Sequence, residues 1–134
     1  MAQHRPRSAE EFLVLRRTLA TSTNTTLVDK LDEDLPALIE THPDQGEIVL
    51  RALTNSSDID ERDIAAAHVE YLFNTRPAAA QDIWTKLAHD PEPTVRNQAR
   101  ECASEILPHL LFSSTDPNIK RHALATIDAI TTPH

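Results

Sequence analysis

The residue types able to do covalent or metal chemistry are sparse in this chain. One cysteine, Cys102, stands with seven histidines: His4, His42, His68, His89, His109, His122 and His134. A cysteine nucleophile needs a lowered pKa and a base within hydrogen-bond reach. Cys102 instead falls in mid-helix, in one column with His68 at the edge of an apolar stripe, where a half-buried small residue is expected. The histidines show no i,i+3 or i,i+4 pair and no HExxH spacing, so they read as scattered surface residues and no metal is expected. The acidic run DKLDEDL (29–35) lacks the EF-hand positions and their glycine, which argues against calcium. It reads as a solvated charged face, with a partner-binding face as the alternative. Gly46 is the single glycine, so no glycine-rich loop can cradle a phosphate. No catalytic residue and no cofactor are assigned, and the chain reads as a non-enzyme.

The elements that would position any site are helices. At 134 residues the chain is long enough for one domain with a real core. One glycine and five aromatics (Phe12, Tyr71, Phe73, Trp84, Phe112) disfavour sheets and tight hairpins. A lone cysteine fits a reducing compartment. The opening MAQHRPRSAEEF has no apolar stretch behind its basic residues, and no run approaches membrane-spanning length. A cytoplasmic location is the expectation, with residues 1–7 disordered. The net charge of −8 is uneven: residues 29–70 hold 12 acids against Lys30, Arg51 and Arg62. Residues 71–134 come to −1 and residues 1–28 to +2. A polyanion such as DNA would be repelled by the middle of the molecule.

Sliding the chain by 34 residues aligns apolar columns without a gap. Leu15, Val49 and Ile83 share one, and Leu19, Leu53 and Leu87 another. Leu31, Ala65 and Ala99 follow, then Leu35, Val69 and Ala103, then Leu38, Leu72 and Ile106. A shortened fourth unit fits at a shift of 24, with Leu111, Ile119, Ala123, Ile127 and Ile130 under Leu87, Val95, Ala99, Ala103 and Ile106. A period in this range is the mark of a repeat architecture, each unit here being a helical hairpin. Helices are predicted near 8–21, 25–41, 43–55, 60–75, 77–89, 92–107, 108–113 and 116–131, giving repeats at about 8–41, 43–75, 77–107 and 108–131. Pro43, Pro77 and Pro108 suit first-turn positions, whereas Pro36 sits inside a helical pattern and is expected to kink or split that helix.

The stretch LAHDPEPTVRNQAREC (87–102) shows how the turns are built. Asn24, Asp58, Glu92 and Asp116 form one column, four residues before Val28, Arg62, Arg96 and Lys120. An acid or amide there caps free N–H groups, and its i,i+4 base adds a few tenths of a kcal/mol. Asp58, Arg62, Glu92, Arg96, Asp116 and Lys120 thus predict a structural ladder along the turns. DPEPTVR and DPNIK, each leading into an Ala-containing helix, resemble the turn of HEAT-type repeats, and RPAAAQDIWTKLAHDPEPTVR is also similar to the leucine-rich repeat variant. The similarity spans about residues 40–131. Departures are Glu61 for the apolar residue, Ile59 for the proline and Val28 for the arginine, and the variant's cysteine cluster has no counterpart. The resemblance implies an all-α, right-handed α-solenoid of about 3.5 repeats, used for binding and carrying no activity by default.

Two classes of function are weighed. The first is a protein-interaction module whose second helices line the binding surface. With Ala65, Val69 and Leu72 facing the core, positions 63, 67, 70 and 74 point away. The outward columns are Asp29, Glu33 and Pro36; Asp63, Ala67 and Glu70; Asn97, Glu101 and Ser104; Arg121, Ala125 and Asp128. Asp29, Glu33, Asp63, Ala67, Glu70 and Glu101, with Tyr71 at the margin, are the expected contacts for a basic protein segment. A merely soluble face is the alternative. The second class is a DNA glycosylase-like helical-repeat enzyme, which the acidic second helices and few aromatics disfavour. A neutralising partner of a basic toxin is a special case of the first. Trp84, one position after the core residue Ile83, is either packing between first helices or an exposed anchor.

Overall fold

In the computed structural model, which describes residues 7–20 and 25–131, every regular element is helical. The helices are α1 (Ala9–Ala20), α2 (Thr25–Glu33), α3 (Leu35–Thr41), α4 (Pro43–Thr54), α5 (Ile59–His68), α6 (Pro77–Ala88), α7 (Pro93–Ser113) and α8 (Pro117–Thr131), with a 3-10 turn at Val69–Leu72. Four of them begin on a proline, whose missing N–H would be an orphan in a first turn anyway. Asn24 and residues 1–6 lie outside the described residues.

The apolar columns become the core. Val49 and Ile83, Leu53 and Leu87, Leu31, Ala65 and Ala99, and Leu35, Val69 and Ala103 are all buried, with Leu15, Leu19 and Ile106 packed at the edge. Helix α4 packs on α1 and α6, α5 packs on α7, and α8 lies against both α6 and α7. Trp84 is fully enclosed: its indole N–H donates to Ala99 O at 2.8 Å and its ring meets Phe73 edge-on at 6.0 Å. It is therefore a packing residue between α6 and α7. Gly46 has an equally concrete reason. A Cβ there would lie 2.7 Å from the Ile39 Cα, so only glycine lets α4 cross α3 this closely.

One boundary follows the sequence reading and two differ from it. The helix expected over 25–41 is split, as Pro36 required: α2 ends at Glu33 and Pro36 stands in the first turn of α3. The helix expected over 60–75 is α-helical only to His68, which sits at φ −120° with its ring Nδ1 2.8 Å from Ile64 O. The next turn tightens to 3-10. Most notably, the separate helices at 92–107 and 108–113 run together as α7, with Pro108 inside. Proline's φ is compatible with a helix, and its cost is one lost bond and a crowded carbonyl four residues back. Here that residue is Ser104, which is exposed, while buried Leu107 and the core-packed Leu110 and Leu111 hold the last turn in place. Among the described residues no helix is long and apolar enough to cross a membrane.

Candidate protein-binding surface

The 34-residue spacing reappears in individual hydrogen bonds at the turns. Arg62 donates from a terminal guanidinium nitrogen to Ser56 O at 3.1 Å, and Arg96 does the same to Asp90 O at 3.1 Å. Ser56 Oγ, Asp90 Oδ1 and Ser114 Oγ each accept the N–H two residues on, at 3.1, 2.9 and 3.2 Å. Asp58 and Asp116 then cap their helices, accepting from Asp60 N–H at 3.0 Å and Asn118 N–H at 2.9 Å. The i,i+4 ion pairs expected from the sequence are replaced by a longer one. Arg62 pairs with Asp90, from the next turn along, through two bonds of 2.9 and 3.3 Å. The Asp58 and Asp116 carboxylates turn toward the free N–H groups ahead of them, away from the base one turn later. Glu92 makes no side-chain cap, and Asp90 closes the turn ahead of it as Ser56 and Ser114 do in theirs. Lys120 keeps the column's backbone bond, donating from its N–H to Asp116 O as Arg62 and Arg96 do to Asp58 O and Glu92 O.

Five further arginines, Arg16, Arg17, Arg51, Arg76 and Arg100, are also committed. Arg16 makes a two-pronged, largely buried pair with Asp32, where the equivalent positions of the next unit are Leu50 and Ala66. Burial outweighs that pairing and pushes the Asp32 carboxyl up from its ordinary range. Arg17 reaches Glu61 at 3.1 Å, which explains how an acid is tolerated in an apolar column. Burial would raise the Glu61 pKa, but the bonds from Arg17 and Ser56 win and lower it. Across α4 and α6, Arg51 bridges Glu47 and Asp82 at 3.0 and 2.9 Å, and Arg76 joins Glu47 at 2.9 Å. Arg100 donates to Ala88 O at 2.9 Å.

An acidic group drawn from three elements lacks such neutralisation. Glu70 and Tyr71 project from the 3-10 turn, Glu40 from α3, and Glu101, Cys102 and Glu105 from α7. Burial raises the Glu70 carboxyl, and the negative charge of Glu105 raises it further. Burial likewise raises the Tyr71 hydroxyl, helped by Glu70 and Glu40. The Cys102 thiol is half-buried and pushed up by burial and by Glu70, Glu105 and Glu101, with Gln98 as its weak donor at 3.4 Å. That is the reverse of what a nucleophile needs. His68 stacks at a tilt near Tyr71, with ring centroids 6.0 Å apart. Among the described residues no arginine or lysine forms an ion pair with Glu40, Glu70, Glu101 or Glu105.

Of the residues singled out from the sequence, Glu70, Tyr71 and Glu101 are brought together. Asp29 and Glu33 are exposed on α2, and Asp29 acts electrostatically on Asp32. Asp63 and Ala67 are half-buried on α5. The Asp63 carboxyl is raised by burial and by Asp60, and its Oδ1 is enclosed with no hydrogen-bond partner. Glu40 and Glu105 were missed, yet Glu105 lies 34 residues after Tyr71 and so shares its column. Among the described residues no group of three or more His, Cys, Asp or Glu is arranged to hold a metal ion. No protein-family model, curated protein or solved structure matches the chain.

Proposed function

We propose that this chain is a short HEAT-like α-solenoid of about 3.5 repeats, a protein-binding module that holds a basic protein segment. The docking surface is the acidic patch of Glu40, Glu70, Glu101 and Glu105, with Tyr71 at its centre. The observation that carries this reading is the separation of charge: arginines are tied to carboxylates and carbonyls at the turns and across α4 and α6, while Glu105 acts repulsively on the half-buried Glu70 and no arginine or lysine among the described residues pairs with any of the four glutamates. A lysine- or arginine-bearing segment relieves that repulsion, and the amphipathic Tyr71 ring offers it a rigid contact. The hydrogen bonds repeated at 34-residue spacing support the repeat reading, and the resemblance of DPEPTVR to HEAT turns supports the family.

Selection from a random peptide library displayed against the intact chain tests the proposal. Enriched peptides are expected to be rich in Arg and Lys and to lose about tenfold in affinity or more between 50 and 300 mM salt, as charge-led binding does. Glu70→Lys with Glu105→Lys is expected to abolish that binding. Enrichment without basic bias, or affinity unchanged in the double variant, overturns the assignment.

A further inference from the structure

Arg100 is held within the fold by a carbonyl and by no carboxylate. Its Nε donates at 2.9 Å to Ala88 O, in the last turn of α6, and among the described residues it forms no ion pair. That bond suits a cation at the negative end of a helix dipole. It leaves both terminal nitrogens of the guanidinium fork without a partner among the described residues. Arg100 also lines a groove of about 620 Å³ between α7 and α8, and it is the only charged side chain in that lining. Ala103 and Pro108 continue the α7 wall, and Ile127 and Ile130 form the wall on α8. The two hydroxyls of the lining are already engaged. Ser104 Oγ donates to Glu101 O at 2.9 Å, and Thr131 Oγ1 to Ile127 O at 2.9 Å. The groove therefore offers apolar walls and one unanswered cation, and the glutamates of the acidic patch take no part in it.

We propose that this groove binds a small amphipathic carboxylate, its acid group on Arg100 and its apolar body between Pro108 and the two isoleucines. The volume lies within the range of roughly 300–1,000 Å³ usual for small-molecule sites, whose walls are mostly apolar with a few placed polar groups. Pro108 stands two helical turns beyond Arg100, about 12 Å along α7, which matches the length of a medium-chain acyl group. Charge complementarity selects the head group. A guanidinium fork takes a carboxylate through two parallel charge-assisted bonds. A cationic amphiphile would set like charge against Arg100, and a neutral one would leave the fork to water. Most of the affinity comes from apolar surface removed from water. Because Arg100 is exposed, the acid group adds a preference of about fivefold over a neutral analogue.

NMR of the full chain, titrated with sodium octanoate to about 5 mM, reads the outcome. Octanoate is expected to move the Ile127 and Ile130 methyl signals together with the Arg100 Nε–H, with a dissociation constant on the order of 0.5 mM. 1-Octanol is expected to move the same methyls about fivefold more weakly, and octyltrimethylammonium more weakly still. Arg100→Gln is expected to erase the preference for octanoate over octanol while both still bind. Ser104→Trp, at an exposed position on the groove wall, is expected to block both while leaving the circular dichroism melt within a degree or two. Unmoved Ile127 and Ile130 signals, equal binding of the three amphiphiles, or a preference that survives Arg100→Gln overturns the assignment. So does movement of those signals with protein concentration alone, which would put a second copy in the groove.

Discussion

Asp90 is expected to be the costliest polar residue of the turns to remove. Its side chain is 7% exposed and faces Arg62 at 16%, through bonds of 2.9 and 3.3 Å, while its Oδ1 also accepts the Glu92 N–H at 2.9 Å. Truncating it in Asp90→Ala strands a mostly buried guanidinium whose remaining acceptor is Ser56 O. Breaking a fully buried ion pair from one side costs about 3–5 kcal/mol. Partial solvent access to Arg62 reduces that to about 1.5–3, and the lost turn bond to Glu92 N–H adds about 1. The total, about 2.5–4 kcal/mol, corresponds to roughly 8–15 °C in melting temperature for a chain of this size. Arg96→Ala removes a bond to a neutral carbonyl and is expected to cost about 0.5–1.5 kcal/mol. Urea unfolding of Asp90→Ala, Arg62→Ala and the double variant gives the coupling directly, expected at about 1.5–3 kcal/mol. Asp90→Asn, which keeps an acceptor for Glu92 N–H, is expected to recover about 1 kcal/mol. A coupling below about 0.5 kcal/mol, or an Arg96→Ala loss as large as that of Asp90→Ala, would refute the assignment of Asp90 as the node between successive turns.

Gly46→Ala sets helix propensity against packing. The gain of up to about 1 kcal/mol for alanine in a helix is outweighed by overpacking of about 1–3 against the Ile39 backbone, so a net loss in urea unfolding is expected. Trp84→Phe removes the indole bond to Ala99 O and part of the packing on Phe73, for an expected loss of about 1–3 kcal/mol in the same assay. Glu70→Gln is expected to stabilise the fold at pH 7 by about 0.5 kcal/mol, the scale of a relieved like-charge pair. The sign follows from a folded-state pKa raised by burial and by Glu105: the penalty is present above that pKa and fades as pH falls through it, so the wild type and variant should converge in thermal melts toward pH 4. Equal differences at pH 7 and pH 4 would contradict it.

The apolar columns were legible because burial follows the helical period, and nearly every column predicted to face inward does. Repeat columns show which residues are equivalent, but not which equivalents touch. Arg62 meets Asp90 across a step of 28, a spacing set by how two turns stack, whereas the sequence offered 4 and 34. The signal for Asp90 was nonetheless present: Ser56, Asp90 and Ser114 share a column of short oxygen-bearing side chains, the type that closes a turn on the N–H two residues ahead. The acidic surface was legible in sign and only partly in membership. The chain tightens into the 3-10 turn after His68, and Glu70 and Tyr71 stand there beside Glu40 of α3 and Cys102 and Glu105 of α7, a grouping across elements that no single helical period displays.

The placement of the cations decides where a partner can bind. An arginine bound to a carboxylate within the fold has little field left for a ligand, and the same holds for its carboxylate. Glu47, held low by Arg51 and Arg76 despite partial burial, is such a neutralised acid and offers no site for a basic segment. Asp32 and Glu61 are likewise held by Arg16 and Arg17. Net charge therefore overstates the sticky area: of the 12 acids in residues 29–70, those paired within the fold are spent on stability. Of the acids outside those pairs, Glu40 and Glu70 lie beside the half-buried Tyr71, and burial already raises the Glu70 carboxyl. Under the proposed binding, a cation arriving there would lower the Glu70 pKa and regain that cost, so protons are expected to leave as the basic segment docks and affinity to fall as pH drops through the raised Glu70 pKa.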